Sequence, residues 1–187
     1  MSTKIFNLIG EIDGGAVAEF TKFTTEVLLG NPNDNIVISI NSQGGNYISA
    51  MSIYDMIKAL PNPVYTVIAG NARSMAAILA LSARADRRFC LRNSNIYIHS
   101  VKVSRIENAG IFELKQTLKD ITNFNLNVEN IFKKATHIPE DKLHHVLLED
   151  ENDFIQYKSH EMEDLGIAMQ LDGFETIINE IVRSTFK

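Results

Sequence analysis

Cysteine is almost absent from this chain of 187 residues, because Cys90 is the only one and no internal disulfide can form. That composition is typical of a reducing compartment. Cys90 lies in the apolar run 89–91, which favours a buried side chain over a reactive thiol. No segment approaches the ~18 uninterrupted apolar residues of a membrane helix, and the first residues contain no signal-peptide core. We therefore expect a cytoplasmic protein without a membrane span.

The sequence also lacks an excess of basic residues, since its formal net charge is -5. Nucleic-acid binders usually carry a basic patch, whereas Lys and Arg are scattered here and the tightest group is Arg84, Arg87 and Arg88. There is no phosphate-binding Gly-Lys-Ser/Thr loop and no dinucleotide fingerprint. We expect no nucleic acid, no membrane and no cofactor among its ligands.

The histidines outside the central region give no sign of a metal site. His137 and His160 have no cysteine or carboxylate at the spacing that metal ligands require. His144 and His145 are adjacent, so on a helix they point in different directions. We expect these four side chains to lie on the solvated surface and expect no metal.

The chain contains no internal repeat and no Pro/Gly-rich linker, and its length suits one domain. Short apolar segments, typical of strands, alternate with helical patterns; the strands are predicted at residues 5–9, 36–40, 64–69, 89–91 and 95–99. Residues 36–40 are nearly all apolar, as in a strand buried on both faces. The alternation predicts an α/β fold with mostly parallel pairing.

Helical spacing of apolar residues predicts helices over residues 16–27, 50–60 and 75–85, the last apolar on nearly every side. Residues 111–131 suit one long helix, or two joined near 123–127, and Pro139 opens another helix. The long helix is either an oligomer contact or a helix that packs on its own core.

Two segments that follow predicted strands could contribute to catalysis. The glycine pair Gly44-Gly45 can leave amide N–H groups uncovered, which suits an oxyanion hole or a plain turn. Ser74 lies where a strand turns into the buried helix, near free N–H groups. It is either a nucleophile or an N-cap residue.

A base for such a nucleophile is available at the end of another apolar strand, at His99. A serine hydroxyl needs a neighbouring base, usually histidine, although this pattern taken alone favours a structural histidine. A carboxylate normally orients that histidine, and the candidates are Asp150 and Asp153.

In this order, these segments resemble the Clp protease proteolytic-subunit family. Residues 40–45 (Ile-Asn-Ser-Gln-Gly-Gly) look like its Asn-Ser-Pro-Gly-Gly loop, and 51–55 (Met-Ser-Ile-Tyr-Asp) resemble the helix that follows. Residues 70–75 (Gly-Asn-Ala-Arg-Ser-Met) are similar to its Gly-x-Ala-Ala-Ser-Met turn, and 88–94 with 98–99 to the segment leading into its histidine. The resemblance runs without a gap from residue 36 to 99, and more weakly from 4 to 173.

The resemblance implies a crotonase-like fold, a repeated strand-and-helix core with a protruding long helix, the handle. One domain would span residues 1–187, with its core at about 4–103 and 139–187 and the handle at about 104–138. The implied activity is that of a serine endopeptidase that cleaves peptides or unfolded proteins. Ser74 would attack, His99 would relay the proton, and the N–H groups of Gly45 and Met75 would form the oxyanion hole, beside Gly44 and Arg73.

The resemblance further implies homo-oligomeric rings, usually heptamers stacked in pairs around a chamber, interlocked by the helix after Glu107. Gln43 replaces the family's proline, and Ser100-Val101 replaces Gln-Pro. Arg73 replaces a small residue and would favour acidic substrate groups. Counting back from Gly166 favours Asp153 as the acid, whereas counting forward from the preceding helix favours Asp150; we prefer Asp153.

The chain starts close to its first strand, without the family segment that helps to dock an AAA+ unfoldase, which argues against that partner. Two alternatives to an active peptidase remain open. One is a non-catalytic ring subunit, either structural or regulatory. The other is an acyl-CoA enzyme of the crotonase type.

Overall fold

The computed structural model describes residues 2–102 and 109–185, apart from the side chains of 180 and 182–185. In these ranges one sheet holds β1 (Thr3–Ile12), β2 (Asn35–Gly45), β3 (Val64–Arg73), β4 (Arg88–Leu91), β5 (Asn95–Ile98), β6 (Ile155–Lys158) and β7 (Met169–Leu171). The helices are α1 (Gly14–Leu28), α2 (Tyr47–Ala59), α3 (Met75–Ala80), α4 (Ile111–Ala135), α5 (Glu140–His144), α6 (Ser159–Met162) and α7 (Phe174–Thr185).

The sheet is parallel except at one edge. Its main order is β1-β2-β3-β4-β7, and every pairing along this path is parallel. β5 pairs in parallel with the end of β3, and β6 adds to β5 in the antiparallel direction. The predicted α/β fold with mostly parallel pairing is confirmed.

β3 changes its strand partner half-way along, and the side chain of Ser94 lies between the two pairings. The first part of β3 pairs with β4 and the last part with β5. Between them, Ser94 Oγ donates to the carbonyl oxygen of Ile68 at 2.6 Å and accepts from the amide of Gly70 at 3.2 Å. One buried hydroxyl therefore takes the place of a strand neighbour, and the exchange leaves room for β5 to bring its end beside β3.

Helices cover the sheet on both faces, which explains the apolar strands. Ile36, Ile38 and Ile40 of β2 belong to the large core cluster that includes residues of α1, α2 and α3. The intervening Val37 points to the other face and belongs to the cluster with Ile177 of α7. Because side chains alternate along a strand, a segment buried on both faces must be continuously apolar, as predicted for residues 36–40.

Several element boundaries differ from the sequence prediction. β2 and β3 continue to Gly45 and Arg73, beyond the predicted ends at residues 40 and 69. α3 ends at Ala80 instead of residue 85. α4 is one uninterrupted helix over Ile111–Ala135, so the alternative of two helices is wrong.

The helix predicted after Pro139 is present as α5, and it widens into a single turn of π-helix at His145–Glu149. The first residues of the expected handle segment lie outside the described ranges. Within the described ranges, none of the helices combines the length and apolar character required to cross a membrane.

Cys90 is fully buried, as predicted, in the middle of β4. Its sulfur lies 3.9 Å from the carbonyl oxygen of Ser159 and 4.0 Å from that of Ala168. Burial is the main cause that raises the pKa of the thiol, to about 12. The reactive thiolate is therefore scarce at neutral pH.

We predict that iodoacetamide at pH 8 leaves Cys90 unmodified in the folded protein and alkylates it in urea. Mass spectrometry of the intact chain measures the modification. Rapid alkylation of the folded protein would contradict the burial of this side chain. A Cys90→Ser variant is the control, since it removes the only thiol.

Candidate active site

Three parallel strands end side by side at one edge of the sheet. β2 lies next to β3 with Ser42 opposite Ala72, and β3 lies next to β5 with Arg73 opposite Tyr97. In parallel sheets, ligands bind outside the carboxyl ends of the strands. The fold therefore brings together the glycine segment, the Ser74 turn and the His99 segment, which are far apart in the sequence.

The glycine pair is the extended end of β2 and not a turn. Gly44 and Gly45 have φ values of 91° and 156°, a region that favours glycine. The amide of Asn46 donates to the carbonyl oxygen of Ile12 in β1 at 2.8 Å. Since N–H directions alternate along a strand, the amide of Gly45 faces away from β1, toward the side where β3 lies.

The two glycines are also required by close backbone approach. A Cβ atom on Gly44 would lie 2.5 Å from the carbonyl oxygen of Arg73 and 2.8 Å from Cβ of Ser74. A Cβ atom on Gly45 would lie 2.3 Å from the carbonyl oxygen of Ile12. The end of β2 is therefore in direct contact with the Ser74 turn, and only glycine permits that contact.

Ser74 has a strained backbone, with φ 53° and ψ -124°, and it is the only non-glycine residue with positive φ among the described residues. Its amide donates to the carbonyl oxygen of Tyr97 at 2.9 Å, which fixes the turn to β5. Its side chain makes no capping hydrogen bond to α3, so the structure does not support the N-cap alternative. Strain of this kind clusters at functional sites.

Ser74 and His99 line the same cavity, of about 500 Å³. Its wall also contains the aromatic pair Tyr47 and Phe124, whose rings stack at 4.0 Å. Among the described residues, no hydrogen bond joins the Ser74 hydroxyl to the His99 ring. The fold thus brings the two side chains to one cavity without the direct bond of an assembled catalytic pair.

The His99 ring bonds to its own backbone neighbour. Nδ1 lies 2.7 Å from the carbonyl oxygen of Ser100, and since a carbonyl oxygen only accepts, Nδ1 carries the proton. Nε2 is then the unprotonated nitrogen of the neutral ring. The following residue, Val101, donates its amide to Oδ1 of Asn125 in α4 at 2.6 Å, which ties this segment to the long helix.

Asp153 faces His99 across a second cavity of about 370 Å³, lined by Gln43, Arg73, Tyr97, His99, Lys102, Asn152, Asp153 and Phe154. Oδ1 of Asp153 accepts from the amide of Phe154 at 2.8 Å. The carboxylate of Asp150 accepts instead from the amide of Asn152 at 2.9 Å. Neither acid hydrogen-bonds to His99 among the described contacts, so the choice between them stays a prediction.

Sequence reasoning named Arg73, His99 and Asp153 of the second cavity but missed its two aromatic rings, Tyr97 and Phe154. The guanidinium of Arg73 lies 4.3 Å from the ring centroid of Tyr97, and the ring of Phe154 lies 6.2 Å from that of Tyr97. Tyr97 lies on β5 and His99 directly follows the strand, two residues further on, a spacing at which side chains of an extended chain share a face. This alternation is the signal that could have placed Tyr97 at the site.

Of the four histidines predicted to lie on the solvated surface, His137 and His160 are exposed, whereas His144 and His145 have acidic neighbours. Nδ1 of His144 lies 3.1 Å from Oε1 of Glu129, a buried carboxylate. His145 lies 3.0 Å from Oε2 of Glu149 through Nδ1 and 3.8 Å from Oδ2 of Asp153 through Nε2. Both rings are about half exposed, so solvation was predicted in part and the ion pairs were missed. Over the described ranges, no cluster of three or more His, Cys, Asp or Glu side chains could hold a metal ion.

The model of the Clp protease family matches residues 2–171. The chain belongs to the Clp protease family. Proteolytic subunit 1 of the ATP-dependent Clp protease from Chlamydia pneumoniae is 29% identical over 153 residues, which cover 82% of this chain and 76% of that protein. The subunit of the same name from Protochlamydia amoebophila is 32% identical over 72% of this chain and 65% of its own.

A solved structure of a ClpP1 mutant from Listeria monocytogenes is similar in fold, with a TM-score of 0.78. The superposition covers 92% of this chain and 94% of that chain at 24% sequence identity. The predicted family and its α/β fold are therefore confirmed, and the long helix α4 is consistent with the predicted handle.

We predict that Gly44→Ala lowers the free energy of unfolding by at least about 2 kcal/mol, since a positive φ and a steric clash both oppose the methyl group. Urea unfolding measures the change. Gly14→Ala is the matched control, because a Cβ atom there would meet nothing within 4 Å. Equal stability of the two variants would contradict the close contact between β2 and the Ser74 turn.

We also predict that His145 stabilises the fold only at low pH. The hydrogen bond to Glu149, more than the nearby charges, raises the pKa of His145. A raised folded-state pKa gives stability that is present below the ordinary value of ~6.5 and is lost as the pH rises through the folded-state value. His145→Gln should therefore lower Tm at pH 5.5 and leave it unchanged at pH 9.

Thermal unfolding of His160→Gln is the control for this pH dependence, since His160 is an exposed histidine with no ion pair among the described residues. A loss of stability of the same size at both pH values for His145→Gln would rule out the ion pair as its cause.

Proposed function

We propose that this member of the Clp protease family is a serine endopeptidase that cleaves peptides or unfolded proteins, with Ser74 as nucleophile and His99 as general base. The observation that carries the proposal is the strained Ser74 turn, which opens on the same cavity as His99 while contacting Gly44. A hydroxyl, an imidazole and uncovered amides at one cavity are the parts that acyl transfer requires.

In the proposed reaction, Oγ of Ser74 attacks the carbonyl carbon of the scissile peptide bond, and its proton passes to Nε2 of His99. The protonated His99 then gives this proton to the leaving amine, and the C–N bond breaks. Water, deprotonated by the same nitrogen, then attacks the carbonyl carbon of the ester. The bond from that carbon to Oγ breaks, His99 returns the proton to Oγ, and the second product leaves as a carboxylic acid. With Nδ1 bonded to the carbonyl oxygen of Ser100, Nε2 is the nitrogen left to take part in these steps.

The oxyanion hole is proposed to consist of the amides of Gly45 and Met75. Met75 is the first residue of α3. N–H groups in the first turn of a helix have no acceptor within the helix. The Gly45 amide faces away from β1, because the next amide, that of Asn46, is bonded to Ile12 in β1. Fixed donors of this kind typically supply ~3 kcal/mol each to the transition state.

Asp153 is the proposed orienting acid, because it lines a cavity together with His99 whereas Asp150 does not line that cavity. Its action requires a rearrangement in which Nδ1 of His99 leaves the carbonyl of Ser100 and meets the carboxylate. Asp153→Asn should then lower kcat by up to about 10⁴-fold, while Asp150→Asn should change it little.

A homo-oligomeric ring, with heptamers stacked in pairs, is the proposed assembly for a single domain over residues 1–187. Exposed apolar side chains on the first turns of α4 support it, namely Ile111, Phe112 and Leu118. A stripe of this kind is costly to leave in water. The doubt about an AAA+ unfoldase partner stays a prediction; the curated relatives are named as subunits of an ATP-dependent protease.

We predict that a fluorophosphonate probe labels Ser74, with the labelled peptide identified by mass spectrometry. Ser74→Ala should abolish labelling and His99→Gln should slow it by several orders of magnitude, because the hydroxyl then lacks its base. Ser52→Ala is the matched control: Ser52 is half-buried on α2 and does not line the cavity, and its hydroxyl donates to the carbonyl oxygen of Ile48.

The decisive measurement is labelling and peptide cleavage by the assembled wild-type protein. Intact assemblies that neither label nor cleave any peptide would overturn the proposal. Cleavage that appears only after a second Clp subunit is added would identify a non-catalytic ring subunit instead.

A further inference from the structure

The second cavity lies directly beside the proposed catalytic pair. It shares Gln43, His99 and Lys102 with the cavity that contains Ser74, so the two cavities adjoin. A peptide bound across Ser74 therefore has one neighbouring side chain within reach of the second cavity. At about 370 Å³, this cavity has room for a side chain of ordinary size.

Two cations face this cavity without a carboxylate partner. Among the described residues, no acidic side chain lies within 4.0 Å of the nitrogens of Arg73 or Lys102. Asp153 is the one acid of the lining, and its oxygens are directed to the amide of Phe154 and toward His145. The basic groups of the cavity thus exceed its acidic groups, although the whole chain is acidic.

Tyr97 gives Arg73 a defined position. The guanidinium carbon lies 4.3 Å from the ring centroid, and the parallel register sets Arg73 opposite Tyr97. A guanidinium that stacks on a ring keeps the N–H groups at its edge free. Those N–H groups match the two oxygens of a carboxylate in a bidentate pair.

Arg73 is also fixed relative to the nucleophile, since it precedes Ser74 in the chain and the Ser74 amide bonds to the carbonyl oxygen of Tyr97 at 2.9 Å. A carboxylate held by Arg73 is therefore held at a set distance from the scissile bond. Positioning of this kind contributes to the rate as well as to binding.

We propose that the second cavity is a subsite for an acidic side chain, Asp or Glu, of the peptide substrate. Arg73 is its main specificity residue, Lys102 adds a second positive charge, and the amides of Gln43 and Asn152 complete the polar lining. This inference rests on the proposed peptidase function, because it names the substrate class of the same site.

The first experiment measures binding without turnover. Fluorescence anisotropy with the Ser74→Ala variant compares two peptides that differ only in Glu against Gln at one position, with that position moved along the peptide. The Glu peptide should bind about tenfold more tightly at its best position, the usual gain from a hydrogen bond to a charged group. High salt should reduce the difference.

The second experiment compares kcat/KM for the same peptide pair in otherwise wild-type protein and in Arg73→Gln. The ratio of Glu over Gln should fall from about ten to about one in the variant. Arg73→Glu should reverse the preference in favour of a Lys peptide. The ratio is independent of any general loss of activity that the substitution causes.

Arg87→Gln is the matched control, because Arg87 also stacks on a tyrosine, 5.4 Å from the ring centroid of Tyr65, and does not line the cavity. It should keep the Glu preference of the wild type. Thermal unfolding of each variant identifies any that fails to fold, and Arg73→Lys then provides the milder change.

These experiments test the acidic subsite and the proposed peptidase activity separately. Equal binding and equal cleavage of Glu and Gln peptides at every position would overturn the subsite. Selective binding of the Glu peptide by an assembly that cleaves nothing would keep the subsite and overturn the proposed peptidase activity.

Discussion

The site depends on one contact, the approach of the end of β2 to the turn at the end of β3. A Cβ atom on Gly44 would overlap the carbonyl of Arg73 and the side chain of Ser74. Ser74 keeps its unfavourable backbone conformation because its amide is bound to β5 and its other side is closed by Gly44. A strained residue persists only where several contacts fix its conformation. Here contacts with β5 and with the end of β2 fix Ser74.

The sheet and the site follow from the same topology. Strands that are buried on both faces are mostly apolar along their length, so polar side chains concentrate where they end. Parallel pairing puts the ends of β2, β3 and β5 at one edge. The exchange of strand partners at Ser94 matters here, because without it β4 would occupy the position from which β5 presents His99.

The sequence alone was sufficient for the α/β fold, since continuous apolar runs and helical spacing are local signals. It was sufficient for Ser74 and His99 as candidates because each follows such a run. It could not predict that β2 and β3 continue through the glycine and serine segments, because tertiary pairing outweighs the weak strand propensity of Gly and Asn. The stacking of Arg73 on Tyr97 and the ion pairs of His145 join residues whose proximity only the fold determines.

The hydrogen bond from the Val101 amide to Asn125 has a mechanical consequence. It is short, and Asn125 is buried in the middle of a helix whose first turns expose large apolar side chains. Any displacement of this helix along its axis must either break that bond or drag the segment containing the imidazole. Helix α4 and the His99 segment are therefore mechanically coupled. A contact that shifts the exposed first turns of α4 also shifts the imidazole of His99.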